Sequence, residues 1–179
     1  MKNYSLILLL PLFFIVNSCK KFDEKTQFDI TIDKEVEVPS LVGINLPFNL
    51  PTTTINTEVN EQLEIKNKKK KKIEYIELRE LQLSILSPAN KNFNFLKAVE
   101  VYISAENLPE ILVAKEANLK NTGLNKINIS PIENLDLTNY IKKDVIDLRV
   151  AITTDETIFQ KVKINVANTF WVDVKVLGI

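Results

Sequence analysis

Apolar and polar residues alternate with a period of two along most of this chain, the mark of half-buried strands. Phe28, Ile30 and Ile32 alternate with Asp29, Thr31 and Asp33, and Val36 and Val38 resume past a charged break. Val42, Ile44, Leu46, Phe48 and Leu50 alternate cleanly. Pro47 and Pro51 have no N–H for a ladder, which sets this strand at an edge or bends it. After a turn-rich connection at 52–60, Leu63 and Ile65 take up the alternation again. Residues 73–87 are the longest regular stretch. Ile73 with Tyr75, Ile76 with Leu78, and Leu81 with Leu83 and Ile85 alternate, but the phase slips twice. A β-bulge produces such slips within one strand; a helix over 73–79 is the rival, because Ile73, Ile76 and Glu80 also fit helical spacing.

Beyond a stop at 87–90, Phe93 and Phe95 flank Asn94, and Val99, Val101 and Ile103 share a face opposite Glu100 and Tyr102. Residues 107–109 make a turn, from which Ile111 and Val113 begin a return strand. A loop over 116–123 ends at Gly123, and 124–129 is a short strand. Residues 136–143 are the best helix, with Asp136 or Thr138 to cap it and Lys142 and Lys143 at its C-terminal end. Ile146, Leu148, Val150 and Ile152 alternate, 153–157 turns, and Ile158, Val162, Ile164 and Val166 return. In the last strand Phe170, Val172, Val174 and Val176 share one face, and Trp171, Asp173, Lys175 and Leu177 the other. Eight or nine short strands without crossover helices predict an all-β fold: a single antiparallel β-sandwich, immunoglobulin-like or jelly-roll, with one short helix near 136–143. With only three glycines, the turns fall mostly to Asn, Asp and Pro. No internal repeat is visible.

The first nineteen residues follow a different pattern. Lys2 precedes an apolar run over 6–16, interrupted only by Pro11, and Val16-Asn17-Ser18-Cys19 closes it. The run is shorter than the roughly 20 residues a membrane-spanning helix needs and fits the hydrophobic region of a secretory signal. A lone cysteine directly after Ser18 resembles the lipobox of bacterial lipoproteins, which implies that Cys19 is lipidated and becomes the new N-terminus. Cys19 is the sole cysteine, so it forms no internal disulfide. One acyl chain binds a bilayer marginally and two or more hold it stably. The chain then divides into a signal peptide at 1–18, a lipid-anchored tether at 19–27 and a sandwich domain at 28–179.

In the tether, Asp23 and Glu24 loosely resemble the acidic export signal of Bacteroidota lipoproteins; a solvated linker is the plainer reading. The stretches 87–115 (SPANKNFNFLKAVEVYISAENLPEILVAK) and 145–177 (VIDLRVAITTDETIFQKVKINVANTFWVDVKVL) are similar to β-rich lipoproteins of Bacteroidota, of the flavobacterial type. That resemblance implies a sandwich held at the cell envelope, on the outer membrane with its facing direction open, and no activity.

Charge and chemistry narrow the functions. The 23 basic and 23 acidic residues balance, and removing residues 1–18 takes away only Lys2, leaving −1. Nothing there favours a nucleic-acid partner. Lys66 with Lys68, Lys69, Lys70, Lys71 and Lys72 forms a self-repelling block that favours an exposed loop. It is a candidate contact for anionic head groups or polysaccharide, beside the plainer reading of a solvated hairpin loop. With no histidine, Ser-His and Cys-His nucleophilic pairs and His-ligated metal sites are excluded. A glycosidase needs only two carboxylates, and Asp144 with Asp147, or Asp155 with Glu156, would supply them, though in turn-like segments where acids are expected anyway. No EF-hand spacing occurs, and neither a metal nor a cofactor is expected.

Ligand contact falls to the aromatics off the core phase, Tyr102 and Trp171. A flat aromatic on an exposed sheet face is a sugar platform; under a second layer, or under a loop around Asn168, it is a core or rim residue. The second alternative is preferred for Trp171, and truncating a buried Trp costs roughly 3–5 kcal/mol. The leading expectation is therefore a lipid-anchored, non-enzymatic envelope protein, a structural or interaction module. Its partners are the membrane through the N-terminal lipid and an envelope protein or polysaccharide. An accessory glycan-binding lipoprotein of the outer membrane is the second reading, and an enzyme the third.

Overall fold

Four antiparallel strand pairs nest one inside another, and this nesting generates the architecture. The computed structural model describes residues 26–40, 45–65, 72–119 and 123–175; the leader, Cys19, most of the tether, Val42, Ile44, Lys66, Lys68 to Lys71, Val176 and Leu177 lie outside these. The strands are β1 (Gln27–Val38), β2 (Pro47–Asn49), β3 (Thr53–Asn56), β4 (Ile73–Ser87), β5 (Leu96–Ala105), β6 (Leu108–Ala117), β7 (Lys126–Ile129), β8 (Val145–Thr154) and β9 (Val162–Val174). Two short α-helices, α1 (Val59–Ile65) and α2 (Thr138–Ile141), and a 3-10 turn at Phe93–Phe95 complete the elements among the described residues. β5 pairs with β6, β4 with β7, β2 and β3 with β8, and β1 with β9. Two further pairings, β4 with β9 and β5 with β8, fold this long hairpin over on itself. The result is two sheets, β1-β9-β4-β7 and β2-β8-β5-β6, with β3 also on β8. With β2 and β3 counted as one interrupted strand, this is the eight-stranded jelly-roll order, which decides between the two sandwich types expected.

The period-two reading holds where one face is buried. In β9 every even-numbered residue from Val162 to Val174 is buried and the odd ones are not. Continuity exceeds expectation at two polar positions. β1 runs unbroken through Lys34, which stays in the inward phase opposite Val166. β9 runs through Asn168, a buried core-phase residue whose Nδ2 donates to the carbonyls of Ile32 (3.2 Å) and Val166 (3.3 Å). These bonds offset the cost of burying the amide, so Asn168 interrupts neither the strand nor the core. β4 is a strand, not a helix, with register shifts at 73/75, 78/80 and 85/87; its slipping phase predicts two such irregularities, and the shift at 85/87 is additional.

Three expectations are corrected. The alternation over 46–50 yields only a three-residue strand, with Leu46 72 % exposed and only Leu50 fully buried. Pro47 and Pro51 confine it to the sheet edge, as expected, where Leu50 N–H donates to Val150 O (2.9 Å) and links β2 to β3 along β8. Leu63 and Ile65 are not a strand: Val59 and Leu63, four apart, are the buried stripe of α1, while Ile65 is 80 % exposed. The connection at 52–60 is not merely turns, since it contains β3 and the start of α1.

The helix at 136–143 forms as α2, with Asp136 Oδ1 accepting from Thr138 N–H (2.9 Å). Leu137 and Ile141 are wholly buried and Tyr140 nearly so, its hydroxyl donating to Pro109 O (2.9 Å). Its position follows from a mismatch in strand length. β7 covers only residues 81–84 of the fifteen-residue β4. The remaining edge is partly closed by Leu137 N–H donating to Ile76 O (2.7 Å) and Lys142 Nζ to Ile73 O (2.6 Å).

Candidate functional site

Both aromatics singled out from strand phase stand on outer faces, and each is crossed by one of the chain's two arginines, Arg79 and Arg149. Tyr102 lies on β5 between β8 and β6, directly opposite Arg149. The guanidinium carbon of Arg149 is 3.9 Å from the ring centroid. From there Arg149 reaches over the ring to β6, where Nε and Nη2 meet the two carboxylate oxygens of Glu110 at 2.8 and 2.6 Å. Its Nη1 donates to Asn49 of β2 at 2.7 Å. The Tyr102 hydroxyl donates to Glu100 (2.8 Å). One arginine thus ties four strands together, and a bidentate fork over an aromatic plane is what arginine does and lysine does not. The electrostatics agree. Arg149 beside Glu110 holds that carboxyl below the usual glutamate range, and Glu110 raises the guanidinium. The bond to Glu100, then burial, raises the Tyr102 hydroxyl. This face is fully committed, and the depression beside it, between Ala98, Ala117 and Ala151, is only about 150 Å³.

Trp171 repeats the plan on the other sheet in a looser form. It sits on β9 between Asp29 of β1 and Glu77 of β4, half-buried on the outer face. Among the described residues no second layer covers it, and Asn168 belongs to its own strand, so neither expected shelter is found there. Tyr75 meets it edge-on at 6.1 Å between centroids and 65°. Burial, then Glu77, raises the Tyr75 hydroxyl, which donates to Glu77 at 3.3 Å. Arg79, placed at the 78/80 bulge, lies 5.4 Å from the Trp171 centroid and pairs with Asp29 through Nη1 alone, at 3.2 Å. Among the described residues its Nε and Nη2 have no partner.

Arg79 also lines a groove of about 490 Å³ with Glu77, Ser130, Pro131, Glu133 and Asn134. The groove exists because the chain changes sheets. After Ile129 pairs with Leu81 of β4, the next residues cross to β6: Lys115 N–H donates to Ser130 O (2.9 Å) and Ile132 N–H to Val113 O (2.8 Å). The chain regains β4 only at Leu137, bonded to Ile76. The edge between is left open. Asn134, in the left-handed region at φ 56°, turns the segment back.

The other candidates are dispersed. Lys72 lies within the described residues: its carbonyl accepts from Lys175 N–H (2.7 Å) beside the start of β4. Gln27, the first residue of β1, is opposite Asp173. The starts of β1 and β4 therefore share one end of the sheet, on either side of β9. Asp144 and Asp147 line a depression of about 500 Å³ with Thr54, Glu106 and Lys143. There Asp147 accepts from Thr54 Oγ1 (2.8 Å) and Asp144 from Asn60 Nδ2 (3.3 Å), bonds that tie β3 and α1 to the start of β8. Asp155 and Glu156 are exposed in the β8–β9 turn.

Neither arginine was singled out from the sequence, yet a signal was there. Against 21 lysines in a chain with 23 basic residues, two arginines are conspicuous, and both fall within strands. No family model and no curated protein matches the chain. Among solved structures, a chain from Desmodium yellow mottle tymovirus aligns with 86 % of this chain and 91 % of its own length, at 9 % identity and a TM-score of 0.24. A likeness that low carries no argument.

Proposed function

We propose that this protein is a lipid-anchored, non-enzymatic module of the cell envelope, with Cys19 as the acylated residue and the jelly-roll as an interaction domain. The observation that carries the reading is the apolar run closing at Ser18-Cys19 with no other cysteine in the chain. Two features support it. Only seven residues separate Cys19 from the first strand, β1, at Gln27; the eight steps between them span at most about 29 Å and keep the domain at the bilayer. The starts of β1 and β4 share one end of the sheet, so Lys72, the last residue of the lysine block, lies at the same end as Gln27, where β1 begins. That arrangement suits contact with anionic head groups. The absence of histidine and the commitment of the sole thiol to lipid leave few routes to nucleophilic chemistry.

Mass spectrometry of the protein from membranes tests the reading. The expected N-terminus is Cys19 carrying acyl groups, and Cys19→Ser should shift the protein out of the membrane fraction. An unacylated mature form beginning elsewhere would overturn it. The second reading, an accessory glycan-binding lipoprotein of the outer membrane, is favoured by one observation: Trp171, half-buried on an outer face, lies under an arginine that makes a single hydrogen bond, whereas Tyr102, half-buried as well, lies under one that makes three.

A further inference from the structure

We infer that the open edge of β4 beside the 130–134 segment is a docking slot for an extended, basic stretch of another polypeptide, which adds to the sheet as a short strand. The inference rests on the reading of the domain as an interaction module and names its partner's chemistry. It begins with the main chain. β9 bonds β1 through its even-numbered residues and β4 through its odd ones: Thr31 O, turned outward on β1, accepts from Gln62 Nε2 (3.1 Å), and Lys175 N–H donates to Lys72 O (2.7 Å). Antiparallel pairing alternates in this way, so the β4 residues opposite even positions of β9 turn their N–H and C=O toward β7. They are Ile76, Leu78, Leu81, Leu83 and Ile85.

All but one of these are met. Leu81 and Leu83 pair with Ile129 and Ile127, Ile85 N–H donates to Asn125 O (2.9 Å), and Ile76 O accepts from Leu137 N–H (2.7 Å). Leu78 finds no main-chain partner on that side among the described residues. It lines the groove of about 490 Å³ that runs along this part of the strand. An unpaired edge is a template for a further strand, whose main-chain bonds give affinity and whose side chains give specificity. From Ile76 to Leu81 the edge is about 16 Å long at ~3.3 Å per residue, room for a strand of three residues.

Charge selects the occupant. Two carboxylates, Glu77 and Glu133, line the groove against one guanidinium, and Arg79 is already paired with Asp29 (3.2 Å). A residue bonded opposite Leu78 points its side chain inward, as Leu78 does, and its two neighbours point outward on the side of Glu77. Basic side chains at those neighbours meet opposite charge there, and acidic ones meet like charge.

The mature protein, isotope-labelled and in detergent, is titrated with acetyl-Lys-Val-Lys-amide, its acidic counterpart acetyl-Glu-Val-Glu-amide, the basic peptide N-methylated at valine, and acetyl-lysine amide. The expected result is a saturable shift of the Leu78 amide resonance with the basic peptide. N-methylation removes the N–H aimed at Leu78 O and should weaken binding about tenfold. Glu133 is exposed, so its replacement leaves the fold intact. Glu133→Gln should weaken binding about threefold, as loss of an exposed ion pair does, and Glu133→Lys should make the acidic peptide the tighter binder.

No shift with the basic peptide would overturn the proposal. So would an N-methylated peptide that binds as well, or an acidic peptide that binds the parent as tightly. Acetyl-lysine amide binding as tightly as the basic peptide would also overturn it, by making the groove a site for a cation alone. A Leu78 amide that shifts on dilution without peptide would give the slot to a second copy of the chain instead. Anchoring is read separately, from the N-terminal mass and membrane fractionation, so each reading fails on its own measurement.

Discussion

The outer faces of the two sheets carry the same device built to different tightness. In each, an arginine reaches across an aromatic on the neighbouring strand to a carboxylate on the strand beyond: Arg149 over Tyr102 to Glu110, and Arg79 over Trp171 to Asp29. The first arginine lies on β8, flanked by strands on both sides; it makes three hydrogen bonds, and its side chain is 23 % exposed. The second lies at a bulge where β4 has lost its neighbour; it makes one, and is 51 % exposed. A strand with partners on each side surrounds its arginine with acceptors, whereas an edge leaves the guanidinium half used. Both aromatics are half-buried, so exposure alone does not separate them. Hydrogen-bond accounting does.

Breaking the tight device should have the largest effect. Arg149→Ala removes the fork to Glu110, the bond to Asn49 and the cover over Tyr102. A loss of about 2 kcal/mol is expected from charged hydrogen bonds and cation–π contact, which for a chain of this size lowers Tm by about 4–8 °C. A thermal melt measures it. A shift no larger than that of Arg79→Ala would erase the distinction between the faces.

Trp171→Ala comes next. Were the indole in the core, about 3–5 kcal/mol would be lost. On an outer face, with one edge-on contact to Tyr75, the expected cost is about 1 kcal/mol. Urea denaturation of the parent and the variant distinguishes the two values.

Glu110→Gln sharpens the comparison through pH. Arg149 lowers the Glu110 pKa in the folded state. The pair's contribution is therefore fully present above the usual glutamate pKa and is lost as pH falls through the lowered value. With the carboxylate 41 % exposed and screened by water, it is worth about 0.5–1 kcal/mol. The gap in stability between parent and Glu110→Gln should be constant near neutrality and close in acid. A gap that widens as pH falls would contradict the assignment. Smallest of all, Arg79→Ala should change stability by less than about 0.5 kcal/mol, so any binding it abolishes cannot be ascribed to unfolding.

Much of this arrangement was legible in strand phase. Because the side-chain period is two and one face must be buried, the phases of 101–103 and 170–174 set Tyr102 and Trp171 on outer faces. The slips at 73–87 announced bulges, the prolines at 47 and 51 announced an edge, and Asp136 announced α2. Other features misled for identifiable reasons. Leu63 and Ile65 mimic alternation, but Val59 and Leu63 fit one helical stripe just as well, and packing decided between them. Lys34 and Asn168 read as breaks because polarity in a core phase is costly, a cost that Asn168 offsets with bonds to carbonyls on β1 and its own strand. The link between each arginine and its aromatic was invisible, since Arg149 and Tyr102 are 47 positions apart and Arg79 and Trp171 are 92 apart.

By itself the sequence determined which residues of the long strands face inward, that the domain is an antiparallel sandwich, and that one cysteine follows a short apolar run. These are local properties, carried by the alternation of neighbours and by the composition of short segments. The tertiary structure decided the rest: the nesting of strand pairs into a jelly-roll, the short β7 against the long β4, and the crossing of 130–132 to β6 that leaves a groove beside Arg79. Each depends on which distant segment supplies the partner for a backbone edge or a guanidinium. That choice is made by the whole set of pairings together, because every buried or bridging polar group needs a partner and only the complete fold determines which one it finds.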